Sequence, residues 1–292
     1  MTMTFIMVKS AKGGPEQIYL SNPRITQEEI AQIRQSFGLN DEWYVQYGRW
    51  LFNTATFNFG TSYRQSLPVV ELIGKHIGPT LQLGLTAYAF ALLGIPLGIY
   101  AARHRGRFGD QFVRVLTTIV SATPGWWLGL MFIIIASNTF RWFPQGEGKG
   151  SIWAWLLHLC IPAFLLGTGE LVRYTRFVRS ETLEVLSQDY VRTAHSKGLS
   201  DPNVTRKHVL RNSLIPVITL LGASLPFVLS GAVILEQIFN WPGIGTLILE
   251  SALNRDYPVV LTIFMIVTFV AILGSYLADI AYAIVDPRIR FS

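Results

Sequence analysis

Five apolar runs, at roughly 78–102, 112–140, 152–174, 213–235 and 259–284, constrain this chain more than any other feature. Each is long enough to cross a hydrocarbon layer of about 30 Å. Inside such a layer no water can satisfy the backbone, so each run must close its own hydrogen bonds as a helix. The expectation is an all-α integral membrane protein. Composition agrees: 50% of the 292 residues are hydrophobic and only 14% are charged, against about 25% charged in a soluble domain.

The loops between the runs assign their sides. Arg103, Arg105, Arg107 and Arg114, the eight cations between 173 and 211, and Arg288 and Arg290 make fourteen of the 24 Lys and Arg residues, against six acids in the same regions. Alternation of spans puts these three regions on one side, and the remaining regions hold ten basic and ten acidic residues. An excess of Lys and Arg marks the cytoplasmic side, so the 9–77 stretch is expected outside. The formal charge of +6 is thereby a topology signal, and a nucleic-acid partner is not expected.

The polar island between the third and fourth runs is the longest cytoplasmic segment. From Glu181 to Lys197 the residues Leu183, Leu186, Tyr190 and Ala194 recur at steps of three and four, with Glu184, Gln188, Arg192 and His195 opposite, which predicts an amphipathic helix. Gly198 falls where that helix ends, in position for a left-handed cap, and Asp201-Pro202 supplies a cap and a first-turn proline for a new helix. A helix, tight turn and helix between spans either lies on the lipid surface or is a knob offered to a cytoplasmic partner. Periodicity does not separate the two.

Several motifs in this order resemble those of dipeptide and oligopeptide ABC-transporter permeases, members of the binding-protein-dependent transport class. Arg192-Thr193-Ala194, three residues, Gly198 and then Ile215-Pro216 are similar to that family's coupling-loop signature, with Arg and Thr standing where the signature has Glu and Ala. The stretches Leu210–Pro216, Phe239-Asn240-Trp241-Pro242-Gly243-Ile244-Gly245, Arg255-Asp256-Tyr257-Pro258, Asp286-Pro287-Arg288-Ile289-Arg290, Tyr47–Ser62 and Gly13-Gly14-Pro15 extend the likeness over nearly the whole chain. The resemblance implies a type I ABC importer permease fold with a cytoplasmic coupling helix. It also implies a second homologous permease subunit, two ABC ATPase subunits, an extracytoplasmic substrate-binding protein and a peptide cargo. The loop 181–212 is then the ATPase-coupling element. Leu186, Tyr190, Ala194, Gly198 and Leu199 would form its knob, Arg192 and Lys197 its orienting charges, and Thr193 and Pro216 the rest of the signature.

That family begins with a complete transmembrane helix. Met1 to Val8 is apolar but too short to span, and Lys9 and Lys12 come next, so 1–8 is expected to be the remnant of that first helix; the alternative is a real short start. The expected layout is five complete transmembrane helices plus the truncated one. An extracytoplasmic lobe occupies 9–77, a transmembrane domain 78–286 and a cytoplasmic tail 287–292. In the lobe, Thr26 and Glu29 have the spacing of a capping box, and Asn58-Phe59-Gly60 marks a turn.

Two acids, Glu170 and Asp279, lie within apolar runs, where a carboxylate costs about 2.5 to 3.5 kcal/mol on insertion scales. Either they line a substrate pathway or they are satisfied by local pairing, Glu170 having Arg173 and Arg176 close by on its helix. Trp241-Pro242-Gly243, in an external loop, either gates the outer mouth as a re-entrant segment or anchors a span end at the interface.

No residue set for catalysis is found. Gly148-Lys149-Gly150 lacks the first Gly and the hydroxyl of a phosphate loop, the five His are scattered, and the single Cys160 sits in an apolar run, so no cofactor or metal is expected. An ion-coupled secondary transporter is the alternative to the ATP-driven importer, but such proteins carry internal repeats and none is evident.

Overall fold

The computed structural model describes residues 2–10, 26–136, 151–224, 227 and 233–285. Among these the chain is helical, and its one extended pairing is a bridge between Thr61 and Pro68. In chain order the helices are α1 (Thr2–Ser10), α2 (Gln27–Ser36), α3 (Trp43–Ala55), α4 (Val69–Leu92), α5 (Gly94–Arg103), α6 (Phe108–Ala122), α7 (Gly125–Ile135) and α8 (Ile152–Leu186). They continue as α9 (Asp189–Ser196), α10 (Asp201–Val204), α11 (Leu210–Ser213), α12 (Ile215–Ala223), α13 (Val233–Ile238), α14 (Ile244–Leu253) and α15 (Tyr257–Val285).

Among the described residues, three stretches are long and apolar enough to cross a membrane: Val69–Arg103, Ile152–Leu186 and Tyr257–Leu277. A fourth is the pair α6 and α7, bent by 94°. Proline explains the interruptions. Pro124 stands at the α6–α7 bend, where its ring and missing N–H end a helix, and the α4–α5 break at Leu93 lies next to Leu92, the residue whose carbonyl the ring of Pro96 excludes. Of the expected span at 213–235, Ser213–Ala223 is helical apart from the turn at Leu214, while 225–226 and 228–232 lie outside the described residues. The Gly13-Gly14-Pro15 turn, Gly148–Gly150 and Asp286–Arg290 also lie outside them.

The chain divides into two compact units, 1–79 with 242–269, and 80–241 with 270–292. In the first, Val69, Leu72 and Ile73 of α4 pack with Ile244 and Leu247 of α14 and Val259 and Ile263 of α15. The capping box forms as the spacing requires: Thr26 N–H donates to Glu29 at 2.8 Å and Glu29 N–H to Thr26 Oγ1 at 3.3 Å. At the Asn58–Gly60 turn, Gly60 takes a φ of +74°. A short loop is tied down by Asp256, which accepts from the Ser62 hydroxyl and from the Tyr63 N–H at 3.0 Å. Burial, with the nearby Asp256 carboxylate, pushes the Tyr63 phenol up to about 12.

In the second unit α5 and α8 lie against each other at closest approach. A Cβ on Gly94 would run into the carbonyl of Leu171, and one on Gly98 would come within 2.6 Å of the carbonyl of Thr175. Glycines four apart on one helix face let two membrane helices meet backbone to backbone. At 35 residues, α8 is about 52 Å long. It therefore continues well past the apolar run ending near 174 and carries its last turns out to the polar island.

Candidate functional site

The polar island folds as a compact elbow of helices. The structure corrects the expectation of one continuous amphipathic helix from Glu181 to Lys197: α8 stops at Leu186, Gln188 is extended at ψ 147°, and α9 starts afresh at Asp189. The Ser187 hydroxyl donates to the Glu184 carbonyl at 2.7 Å, capping the last turn of α8. Ser favours such ends because its side chain competes for backbone groups.

The break changes which face is buried. Val191, at 1% exposure, and Ala194 form a small core with Val204 and Val209, covered by Val185 and Leu186. Residues 205–209 are π-helical, Leu210 N–H reaching back to Thr205. Residues five apart in an α-helix lie on nearly opposite sides, and the wider turn brings Val204 and Val209 back toward one side.

The turn at Gly198 is a Schellman cap. Gly198 N–H donates to His195 O at 2.9 Å and Leu199 N–H to Ala194 O at 3.4 Å, with Gly198 at φ +80°. Across it His195 Nδ1 lies 3.5 Å from Asp201. Of the residues expected to form the knob, Leu186 and Ala194 face this inner core instead, Leu186 from the last turn of α8 and Ala194 from α9 beyond the kink at Ser187–Gln188. Tyr190, at 42% exposure, Leu199, at 40%, Gly198, Arg192, Thr193 and Lys197 stand on the outside. Pro216 is not part of the elbow. It occupies the first turn of α12, where its missing N–H costs nothing.

The same cap recurs at the Phe239–Gly245 motif with Asn in place of Gly. Asn240 has φ +50°, Asn240 N–H donates to Gln237 O and Trp241 N–H to Glu236 O at 2.8 Å. Asn tolerates this conformation better than most residues. Trp241 is then delivered into the second unit at 4% exposure, packed on Leu83 and Ala87 of α4 and Leu159 and Ala163 of α8, with the His158 ring 5.5 Å away. It is a buried core residue. Pro242 is exposed, and Gly243 is extended and precedes α14.

Glu170 makes an ion pair at 2.6 Å with Arg173, one turn along α8, and Arg173 also donates to Ser224. The side chain of Asp279 lies outside the described residues. Sequence reasoning missed the pair Asp110–Arg179, held by two hydrogen bonds of 2.7 and 2.9 Å. The residues are 69 apart and carry no local signal. His158, fully buried beside Trp241, could have been flagged as a titratable side chain inside an apolar run.

Long apolar helices, a proline-bent helix pair and an exposed capped elbow define a multi-pass membrane protein. Residues 94–291 match the family described as binding-protein-dependent transport system inner membrane component, and the chain belongs to that family. It is 40% identical to the oligopeptide transport system permease protein AppB of Bacillus subtilis, over 99% of this chain and 93% of that protein. It is 34% identical to the "Probable peptide ABC transporter permease protein y4tP" of Sinorhizobium fredii, over 98% and 93%. A chain of the inward-facing methionine ABC transporter MetNI shares the fold, with a TM-score of 0.59 over 74% of this chain and 97% of that one, at 15% identity.

Proposed function

We propose that this chain is a transmembrane permease subunit of an ATP-driven importer that carries peptides into the cytoplasm. It works beside a second homologous permease, two ATPase subunits and an extracytoplasmic substrate-binding protein. The observation that carries this reading is the elbow 181–212. It is rigid, because its two arms share a core and a Schellman turn, and it presents Tyr190, Leu199, Arg192 and Lys197 outward. A docking knob needs a rigid apolar tip with charges at its rim. The names of the relatives support peptide as cargo.

Within this reading the chain has five complete spans. The 9–77 lobe lies outside, 78–286 is the membrane domain, and 287–292 is a cytoplasmic tail. The buried Trp241 anchors Pro242 and Gly243, which with Glu170 and Asp279 belong to the pathway or its outer gate.

Proteoliposomes containing the assembled transporter provide the test. Peptide uptake should require ATP inside and persist when ionophores collapse ion gradients. The chain purified alone should show no ATPase activity above a membrane-protein control. Uptake driven by an imposed ion gradient without nucleotide would establish a secondary transporter instead.

A further inference from the structure

Helix α6 presents three distinct faces. Asp110, Val113 and Thr117 are buried against the rest of the unit, while Phe112, Val115, Leu116 and Ile119 form an exposed apolar stripe. Between them runs a polar face carrying Arg114 and Thr118, both exposed. Where this face meets α8 there is a cleft of about 240 Å³, whose charged walls are Arg114, Arg176 and Arg179 and whose hydroxyls are Thr117, Thr118 and Thr175.

The charge in the cleft is uneven. Arg179 is neutralised by Asp110, which grips its guanidinium through two oxygens. Arg176 is held in place by uncharged partners, donating to Thr118 Oγ1 at 3.2 Å and Ser121 Oγ at 3.0 Å. Neither Arg114 nor Arg176 has a salt bridge among the described residues. Two positive charges are therefore left over, and since the Thr117 and Thr118 hydroxyls already donate to the Arg114 carbonyl and the Thr175 hydroxyl to the Leu171 carbonyl, the guanidinium N–H groups are what the cleft offers an anion.

The position of the cleft says what that anion is. Arg114 lies just past the cationic loop at 103–107, and Arg176 just past the end of the apolar run near 174, so both stand at the cytoplasmic edge of the hydrocarbon. The exposed stripe from Phe112 to Ile119 runs along the same helix toward the membrane interior. A ligand that fits must carry a negative oxygen-rich head at the interface and an apolar body beside the helix. We propose that this cleft binds the phosphate headgroup of an anionic phospholipid of the cytoplasmic leaflet, its acyl chains lying along Phe112, Val115, Leu116 and Ile119. Basic clefts between membrane helices on the cytoplasmic side are suited to such headgroups. The inference rests on the membrane orientation and is independent of the cargo.

The test uses the intact transport complex in detergent, titrated with phosphatidylglycerol or with phosphatidylcholine of the same acyl chains, and counts retained lipid on this subunit by native mass spectrometry. Retention of phosphatidylglycerol should be about tenfold or more higher, since two uncompensated arginines act on the headgroup. Arg114→Gln with Arg176→Gln should reduce it to the phosphatidylcholine level. Arg114→Lys with Arg176→Lys should retain most of the preference, and Arg103→Gln with Arg105→Gln, which removes equal charge from the neighbouring loop, should leave it intact. A wild-type complex without headgroup preference overturns the proposal. So does equal loss in the cleft and loop variants, which would mean a general charge effect, and so does full displacement of the lipid by excess inorganic phosphate, which would mean a site for the free anion.

Discussion

The side-chain amide of Asn212 donates to the phenol oxygen of Tyr190 at 3.0 Å, joining the start of α9 to the end of α11 across 22 residues. With the buried valines inside and His195 facing Asp201 at the turn, this bond makes the two arms of the elbow one body. Asn212 is fixed from its own side as well, donating to the His208 carbonyl at 3.0 Å.

Tyr190→Phe keeps the ring and removes that bond. An exposed neutral hydrogen bond contributes about 1 kcal/mol or less, so amide exchange through 189–213 should quicken by up to about fivefold without change in the spans. Exchange at the wild-type rate would show that the valine core alone holds the arms.

Gly198 separates backbone strain from crowding, because a Cβ there would meet nothing within 4 Å while the φ of +80° disfavours any L side chain. Gly198→Ala and Gly198→Val should each cost about 1 to 2 kcal/mol locally and re-aim Leu199 and the residues beyond it. Membrane level should stay near normal while transport falls severely and the ATPases detach or hydrolyse without cargo movement. Gly198→Asn, which accepts the left-handed conformation, should restore most of the transport. Equal activity in all three variants would remove the turn from the coupling mechanism.

Gly94 and Gly98 are a packing requirement of the membrane domain. Gly98→Leu places its Cβ against the carbonyl of Thr175 and should destabilise by about 1 to 3 kcal/mol, read as a lower melting temperature and a lower membrane level. Gly169→Ala on α8 has open space and should be near neutral. A similar melting temperature for both variants would contradict the close approach of α5 and α8.

The orientation is tested by single cysteines in a Cys160→Ser background. Ser62 is unsuitable as a label site, being buried on Asp256, whereas Gln65 and Ser200 are exposed. An impermeant maleimide should label Gln65→Cys from outside and Ser200→Cys only from inside. Labelling of both from one side would refute the assignment by positive charge.

Much of the architecture was legible because its causes are local. Apolar runs, the Thr26–Glu29 box and the glycine turn at 198 each depend on a few consecutive residues. The elbow's inner face was not. Leu186, Tyr190 and Ala194 keep helical spacing along the chain, but the kink at Ser187–Gln188 hands the buried position to Val191 and leaves Tyr190 outside. A two-residue break rotates everything beyond it, and periodicity is blind to that rotation.

Hydropathy and backbone preference act over a few turns, so the order of residues was enough to dictate a multi-pass helical membrane protein with a capped turn at Gly198. The long-range partners were decided by the folded chain. Folding brought Asp110 to Arg179, Ser62 to Asp256 over 194 residues, and Trp241 into a core with Leu83 and Leu159. These pairings depend on which helix faces lie side by side, and that is set by packing of the whole unit: the glycines of α5 admit α8, and the bend at Pro124 turns α6 away from α7.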